Sequence, residues 1–153
     1  ALELYEQVWE QTAEPLAANN AASLVAQLHS EDLPRLRRAL SWMDVAVHAA
    51  PRSAAFRDTQ AWLYFLTGRP EQALSLGRQA VRGRPDSVQV QYHLGVLEGA
   101  AGDPKLARWH HEAAVALAEE MRRRGESPTG PERLAAREAR LALQGPRSEN
   151  DSP

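Results

Sequence analysis

Apolar residues in this chain recur every three or four positions, and over no useful length do they alternate with polar ones. From Pro70 the apolar or small residues Ala73, Leu74, Leu76, Gly77, Ala80 and Val81 fall at helical spacing. The run stops at Gly83-Arg84-Pro85, because a residue preceding proline is pushed out of the α region. Asp86-Ser87 then offers a cap for a second helix that runs to about Ala100. Asp103-Pro104 opens a third, with a capping acceptor followed by a proline whose missing N–H is harmless at the first helical position. The pattern predicts helices throughout and no strands.

The punctuation is periodic. Pro34, Pro70 and Pro104 are separated by 36 and 34 residues, and Pro15, Pro51 and Pro85 by the same two intervals. Ala39, Ala73 and Ala107 step by 34, as do Ala46, Ala80 and Ala114, and Gly68 lies 34 before Gly102. Three residue types on one period mark an internal repeat of two helices per unit.

These residues resemble the tetratricopeptide repeat (TPR), whose pattern sets Trp, Leu-Gly, Tyr, Ala, Phe, Ala and Pro at roughly positions 4, 7, 8, 11, 20, 24, 27 and 32. Residues 54–87 fill those positions with Arg57, Gln60, Ala61, Tyr64, Ala73, Gly77, Ala80 and Pro85. Residues 88–121 give Gln91, Leu94, Gly95, Glu98, Ala107, His111, Ala114 and Glu119. Residues 16–53 give Asn19, Ala22, Ser23, Ala26, Ala39, Met43, Ala46 and Pro51, with four extra residues expected in the inter-helix turn near Ser30–Leu33. The small positions hold while the large ones drift, as suits helices that must approach closely but can repack larger side chains.

The resemblance implies an all-α, right-handed superhelical solenoid of helix-turn-helix repeats. The TPR domain is expected over 1–144: a partial repeat at 1–15, repeats at 16–53, 54–87 and 88–121, and a capping helix at 131–143. Ala1 to Tyr5 looks like the start of a second (B) helix, which implies the C-terminal part of a longer bacterial array; the other reading is an ordinary N-terminal helix that caps the array. Leu106, Trp109, Ala113, Leu117 and Met121 line one face of a long helix from Pro104. In the cap, Leu134, Ala135, Leu141 and Ala142 are expected to cover the last repeat, with Glu132, Arg133, Arg137, Glu138 and Arg140 in water. Residues 145–153 are too polar to bury themselves and are expected to be disordered.

Composition narrows the function. The chain has 153 residues, with 18 Lys+Arg against 20 Asp+Glu for a net charge of -2, and no cysteine. Near-neutral charge withholds the electrostatic footprint of a nucleic-acid binder. Without cysteine there is no thiolate zinc site, thiol nucleophile or disulfide framework. No apolar run reaches membrane-spanning length, so a soluble protein of the bacterial cytoplasm or periplasm is expected. Alanine occurs 27 times, which favours helix, and the basic residues are 17 Arg to one Lys, Lys105.

Catalytic signatures are missing. No phosphate-binding glycine loop, nucleophile elbow or H-E-x-x-H occurs. His110 and His111 are helical neighbours about 100° apart and do not converge on one ion, so no metal and no cofactor are expected. Arg122-Arg123-Arg124 suits a helix C-terminus through the macrodipole.

What remains is the groove. The resemblance places five positions of each first (A) helix on a concave face: Ala17, Asn20, Leu24, Gln27 and Leu28; Ala55, Asp58, Trp62, Phe65 and Leu66; Gln89, Tyr92, Val96, Gly99 and Ala100. Trp62, Phe65 and Tyr92 are aromatic anchors there, with Asn20, Gln27, Asp58 and Gln89 as polar fixers. Trp62 and Phe65 read equally as core residues between helices. A carboxylate-gripping groove of the chaperone-binding kind is disfavoured: Asn19 or Asn20 and Arg57 are present, but no A helix carries Lys and Asp58 repels a carboxylate. The expected function is a non-catalytic scaffold that holds a protein or peptide partner in this groove. The alternatives are a regulatory or targeting appendage of a larger enzyme or export system, and homo-oligomers formed through Leu2, Leu4, Tyr5, Val8 and Trp9.

Overall fold

The computed structural model describes residues 2–145; all but the first residue of the tail lies outside them. The described residues form eight α-helices and no strand: α1 (Leu2–Thr12), α2 (Pro15–Leu28), α3 (Leu33–Ala49), α4 (Ala54–Leu66), α5 (Pro70–Gly83), α6 (Val88–Ala100), α7 (Pro104–Arg123) and α8 (Gly130–Gln144). They divide into two compact units, Ala1–Arg84 and Pro85–Pro153.

Local chemistry sets the helix ends. Asp32, Ser53, Ser87, Asp103 and Thr129 each accept a hydrogen bond from the backbone N–H three residues on, satisfying one of the orphan donors of a first turn. Thr129 and Glu132 complete a reciprocal capping box at the start of α8. At the other ends, Gly68 and Gly102 adopt φ of 79° and 88°. The N–H groups of Arg69 and Asp103 reach back to the carbonyls of Tyr64 and Glu98, at 2.8 and 2.9 Å. This C-terminal motif recurs 34 residues apart and again at Gly125, where Glu126 N–H reaches the carbonyl of Met121 at 2.9 Å, and it needs a left-handed residue that glycine adopts without strain.

In the first unit, the core joins Ala18, Ala21, Ala22, Val25, Leu36, Ala39, Leu40, Trp42, Met43, Ala46, Phe56 and Leu63 from α2, α3 and α4. Ala73, Gly77 and Ala80 bury the inner face of α5, which packs against α4. α1 packs on α2 through Leu2, Tyr5 and Trp9. Of the five residues expected to form an open face there, only Leu4 is strongly exposed, at 62%, because a helix lying on α2 turns 2, 5 and 9 inward together. The extra residues of this repeat are distributed differently from the expectation. The α2–α3 turn spans residues 29–32 against 67–69 for α4–α5, one residue more, whereas α3 has 17 residues against 14 in α5. Most of the insertion continues as helix because Asp32 caps it early, ahead of Pro34.

In the second unit, Val88 of α6, Ala114 and Ala118 of α7, and Ala135, Ala136 and Ala139 of α8 form the core, with Tyr92, Val115, Leu117 and Met121 packed around it. The stripe on α7 divides along its length, and the expectation for the cap is corrected. α7 buries Ala107, His110, His111, Ala114 and Ala118, leaving Leu106 and Trp109 39% and 57% exposed. α8 packs through its alanines, and Leu134 and Leu141 are each 48% exposed. Small side chains let three helices approach closely, and that closeness selects the alanine face over the leucine face.

The position-4 side chains of two repeats do the same job. Arg57 donates to the carbonyl of Pro51 and Gln91 to that of Pro85, at 2.7 Å. A proline carbonyl only accepts, so the Gln91 amide orientation is fixed and its oxygen faces His110 Nδ1 at 2.8 Å. His110 must therefore carry its proton on Nδ1 to donate.

Candidate functional site

In the first unit α2 packs against both α3 and α4. Ala17, Ala18, Ala21, Ala22, Val25 and Ala26 are its buried side. The remainder, Leu16, Asn19, Asn20, Ser23, Leu24, Gln27 and Leu28, stays partly or fully in water. These residues recur at three- and four-residue steps and so share one face. Leu16 and Leu28 are 55% and 64% exposed. Gln27 Nε2 donates to Ser23 Oγ at 3.3 Å.

On α4, Trp62 and Phe65 are half-buried, their rings 5.3 Å apart and tilted by 33°. Trp62 also rests on the core of this unit. Part of its ring is packed and part is open to solvent. Asp58 is buried; it is a structural polar group of α4, not a free carboxylate on the surface. Asn20 lines a cleft of about 210 Å3 between α1 and α2 with Leu4, Tyr5, Val8, Glu14 and Leu16.

The second unit offers α6, where Gln89, Tyr92 and Val96 are half-buried and Gly99 and Ala100 exposed. Tyr92 packs against the core formed with α7 and α8. Its hydroxyl pKa is raised, by burial first and then by the nearby Glu138 carboxylate, so the phenol stays neutral at physiological pH. Its ring centroid is 5.9 Å from that of His111. The His111 ring edge lies against the backbone of α6 at Gly95, where an added Cβ would sit 2.6 Å from Nε2. Nε2 is buried and has no hydrogen-bond partner, and burial lowers the His111 pKa below 6.5. The sequence carried no signal for this contact beyond a small residue at Gly95 and a large one at His111.

Among the described residues, no group of three or more His, Asp or Glu is placed to hold a metal ion, and no helix is long and apolar enough to cross a membrane.

Helix pairs on this period, closed by these turns and packed through alanine, make up the TPR fold. Among solved structures the chain is similar to TTC0263, a thermophilic TPR protein in Thermus thermophilus, with a TM-score of 0.68 and 21% identity over 93% of this chain and 72% of that one. It is similar to YrrB, described as a TPR protein with an unusual peptide-binding site, at 0.62 and 22% over 95% and 68%. It is also similar to MamA (41-end) from Desulfovibrio magneticus RS-1, at 0.61 and 18% over 78% of this chain, and spans 65% of that protein's length. No family model matches the sequence, and neither does any curated protein.

Proposed function

We propose that this protein is a non-catalytic scaffold that binds segments of a protein partner on the open faces of its A helices, each unit with its own face. The contacts on the first unit are Asn20, Leu24, Gln27, Trp62 and Phe65, Asp58 being withdrawn from the set because it is buried; on the second they are Gln89, Tyr92 and Val96. The observation that carries this reading is the Trp62–Phe65 pair, half-open on α4 beside a helix whose leucines remain exposed. Rigid aromatic side chains at an open face are the residues that most often dominate binding energy, at about 2 kcal/mol or more each. A preformed helical surface also spares the protein the cost of ordering itself on binding. The peptide-binding site named for YrrB, a protein of the same fold, supports the same reading.

The test compares the wild type with Trp62→Ala and Leu28→Glu as baits, after circular dichroism and thermal melts establish equal folding. Leu28 is 64% exposed, so its replacement leaves the core intact. A partner retained by the wild type and reduced about tenfold or more by each variant is the expected result. Capture of the same proteins in equal amounts by all three would remove the A-helix face from consideration.

A further inference from the structure

Charge is divided between the two kinds of helix. α2 contains no Asp, Glu, Lys, Arg or His over its 14 residues. On α4 the ionisable side chains are Arg57, which donates to the Pro51 carbonyl, and Asp58, which is buried, besides the phenol of Tyr64. On α6 they are Tyr92, held neutral, and His93 and Glu98, both buried. The partner helices differ: Glu3, Glu6 and Glu10 on α1, Arg35, Arg37 and Arg38 on α3, and Arg108, Glu112, Arg122 and Arg123 on α7 are mostly exposed. Surface helices ordinarily place charge on their solvent side. Here the open side of α2 instead alternates leucine with amide or hydroxyl: Leu16, Asn20, Ser23, Leu24, Gln27, Leu28.

We infer that the A-helix face takes an uncharged segment of its partner, one that presents apolar side chains and hydrogen-bonding backbone or amide groups and no Lys, Arg, Asp or Glu where it meets α2 and α4. This rests on the binding reading above. Glu14 lines the N-terminal cleft with Leu16 and Asn20; beyond it, a partner charge pressed against α2 loses water and finds no counter-ion on that helix, and that penalty rejects charged segments of either sign. Leu16, Leu24 and Leu28 supply the apolar contact, and the adjoining α4 adds Trp62 and Phe65. Asn20 and Gln27 are neutral groups that both donate and accept, so they can meet a peptide backbone without demanding charge. Leu16 to Leu28 spans roughly 18 Å at 1.5 Å per residue, the length of about five or six extended residues or a helix of about 12. Recognition without ion pairs also releases no screening ions, so affinity is independent of salt.

The test uses the full chain and three end-blocked, fluorescein-labelled peptides of about 12 residues. One is built of Leu, Phe, Asn, Gln and Ser; the other two carry two central Lys or two central Glu in place of polar neutral residues. Anisotropy titrations are run in about 50 mM and about 500 mM NaCl. The neutral peptide is expected to bind with a Kd that moves less than about twofold between the two salts, and each charged peptide to bind about tenfold or more weakly. Leu28→Lys should weaken the neutral peptide and partly restore the Glu peptide. If a charged peptide binds as tightly as the neutral one, or the Kd rises about tenfold with salt, while Trp62→Ala still abolishes binding, the inference fails and the binding face stands. If no peptide binds, or binding ignores both Trp62→Ala and Leu28→Lys, the face itself is wrong and both readings fall.

Discussion

Gly95 and His111 show how much a single residue pair can decide. The imidazole occupies the space a Cβ at Gly95 would need, with Nε2 2.6 Å from that position. The nearest atoms belong to a ring held between two helices, so it cannot swing away as a flexible chain end would. Gly95→Ala is therefore expected to cost about 1–3 kcal/mol, the usual range for overpacking, read as a shift in denaturation midpoint. Combining it with His111→Ala should recover part of that loss, because the two substitutions share one cavity. His110, the neighbour on α7, is held by a different logic, since its Nδ1 faces the oxygen of an amide already oriented by Pro85. Gln91→Leu removes that acceptor and is expected to destabilise by about 1–3 kcal/mol, whereas truncating the exposed Arg108–Glu112 pair should stay within about 1 kcal/mol.

At the scale of elements, the chain writes its helix boundaries explicitly and its helix faces poorly. Caps, prolines and left-handed glycines mark starts and stops through local chemistry, so the spacing of Asp103-Pro104 or Gly68-Arg69-Pro70 could be read directly. Thr129→Ala breaks a two-way cap and is expected to cost about 1 kcal/mol, with faster amide exchange in the first turn of α8 while its last turn is unaffected. Faces are another matter. α7 offers a leucine–tryptophan stripe and an alanine–histidine stripe, and α8 offers leucines and alanines. Hydrophobicity favours the larger residues, yet the fully buried sides are Ala107, Ala114 and Ala118, and Ala135, Ala136 and Ala139, with Leu117 and Met121 only partly buried beside them. The distance between helix axes makes that choice, and a single helix's sequence does not contain it.

Across the whole molecule, buried histidine is concentrated in one unit. His93, His110 and His111 are all buried in Pro85–Pro153, whereas His29 is half-buried and His48 exposed in Ala1–Arg84. His111 is held below its ordinary pKa of 6.5 by burial. The unfolded chain therefore takes up a proton before the folded one does, and stability falls as the pH drops below 6.5 towards the lowered folded value. Hydrogen exchange at about pH 7.5 and about pH 5, corrected for intrinsic rates, is expected to show α6 and α7 losing protection ahead of α2 to α5. His111→Phe should flatten that difference. Equal losses in both units would mean that acid acts elsewhere.

By itself, the sequence determined the repeat: a 34-residue period of paired helices, their ends, and the small positions Ala61, Ala73, Ala80, Gly95, Ala107 and Ala114, all of which lie buried. These features rest on backbone chemistry and on steric limits that act within a few residues. Tertiary structure alone decided that His111 plugs the space at Gly95, that Asp58 and Glu98 lie buried and not on the surface, and that Trp62 is partly packed and partly open. Each of these depends on which neighbour removes water from which side of a helix. That follows from how closely separate helices approach, a quantity set by all of them together.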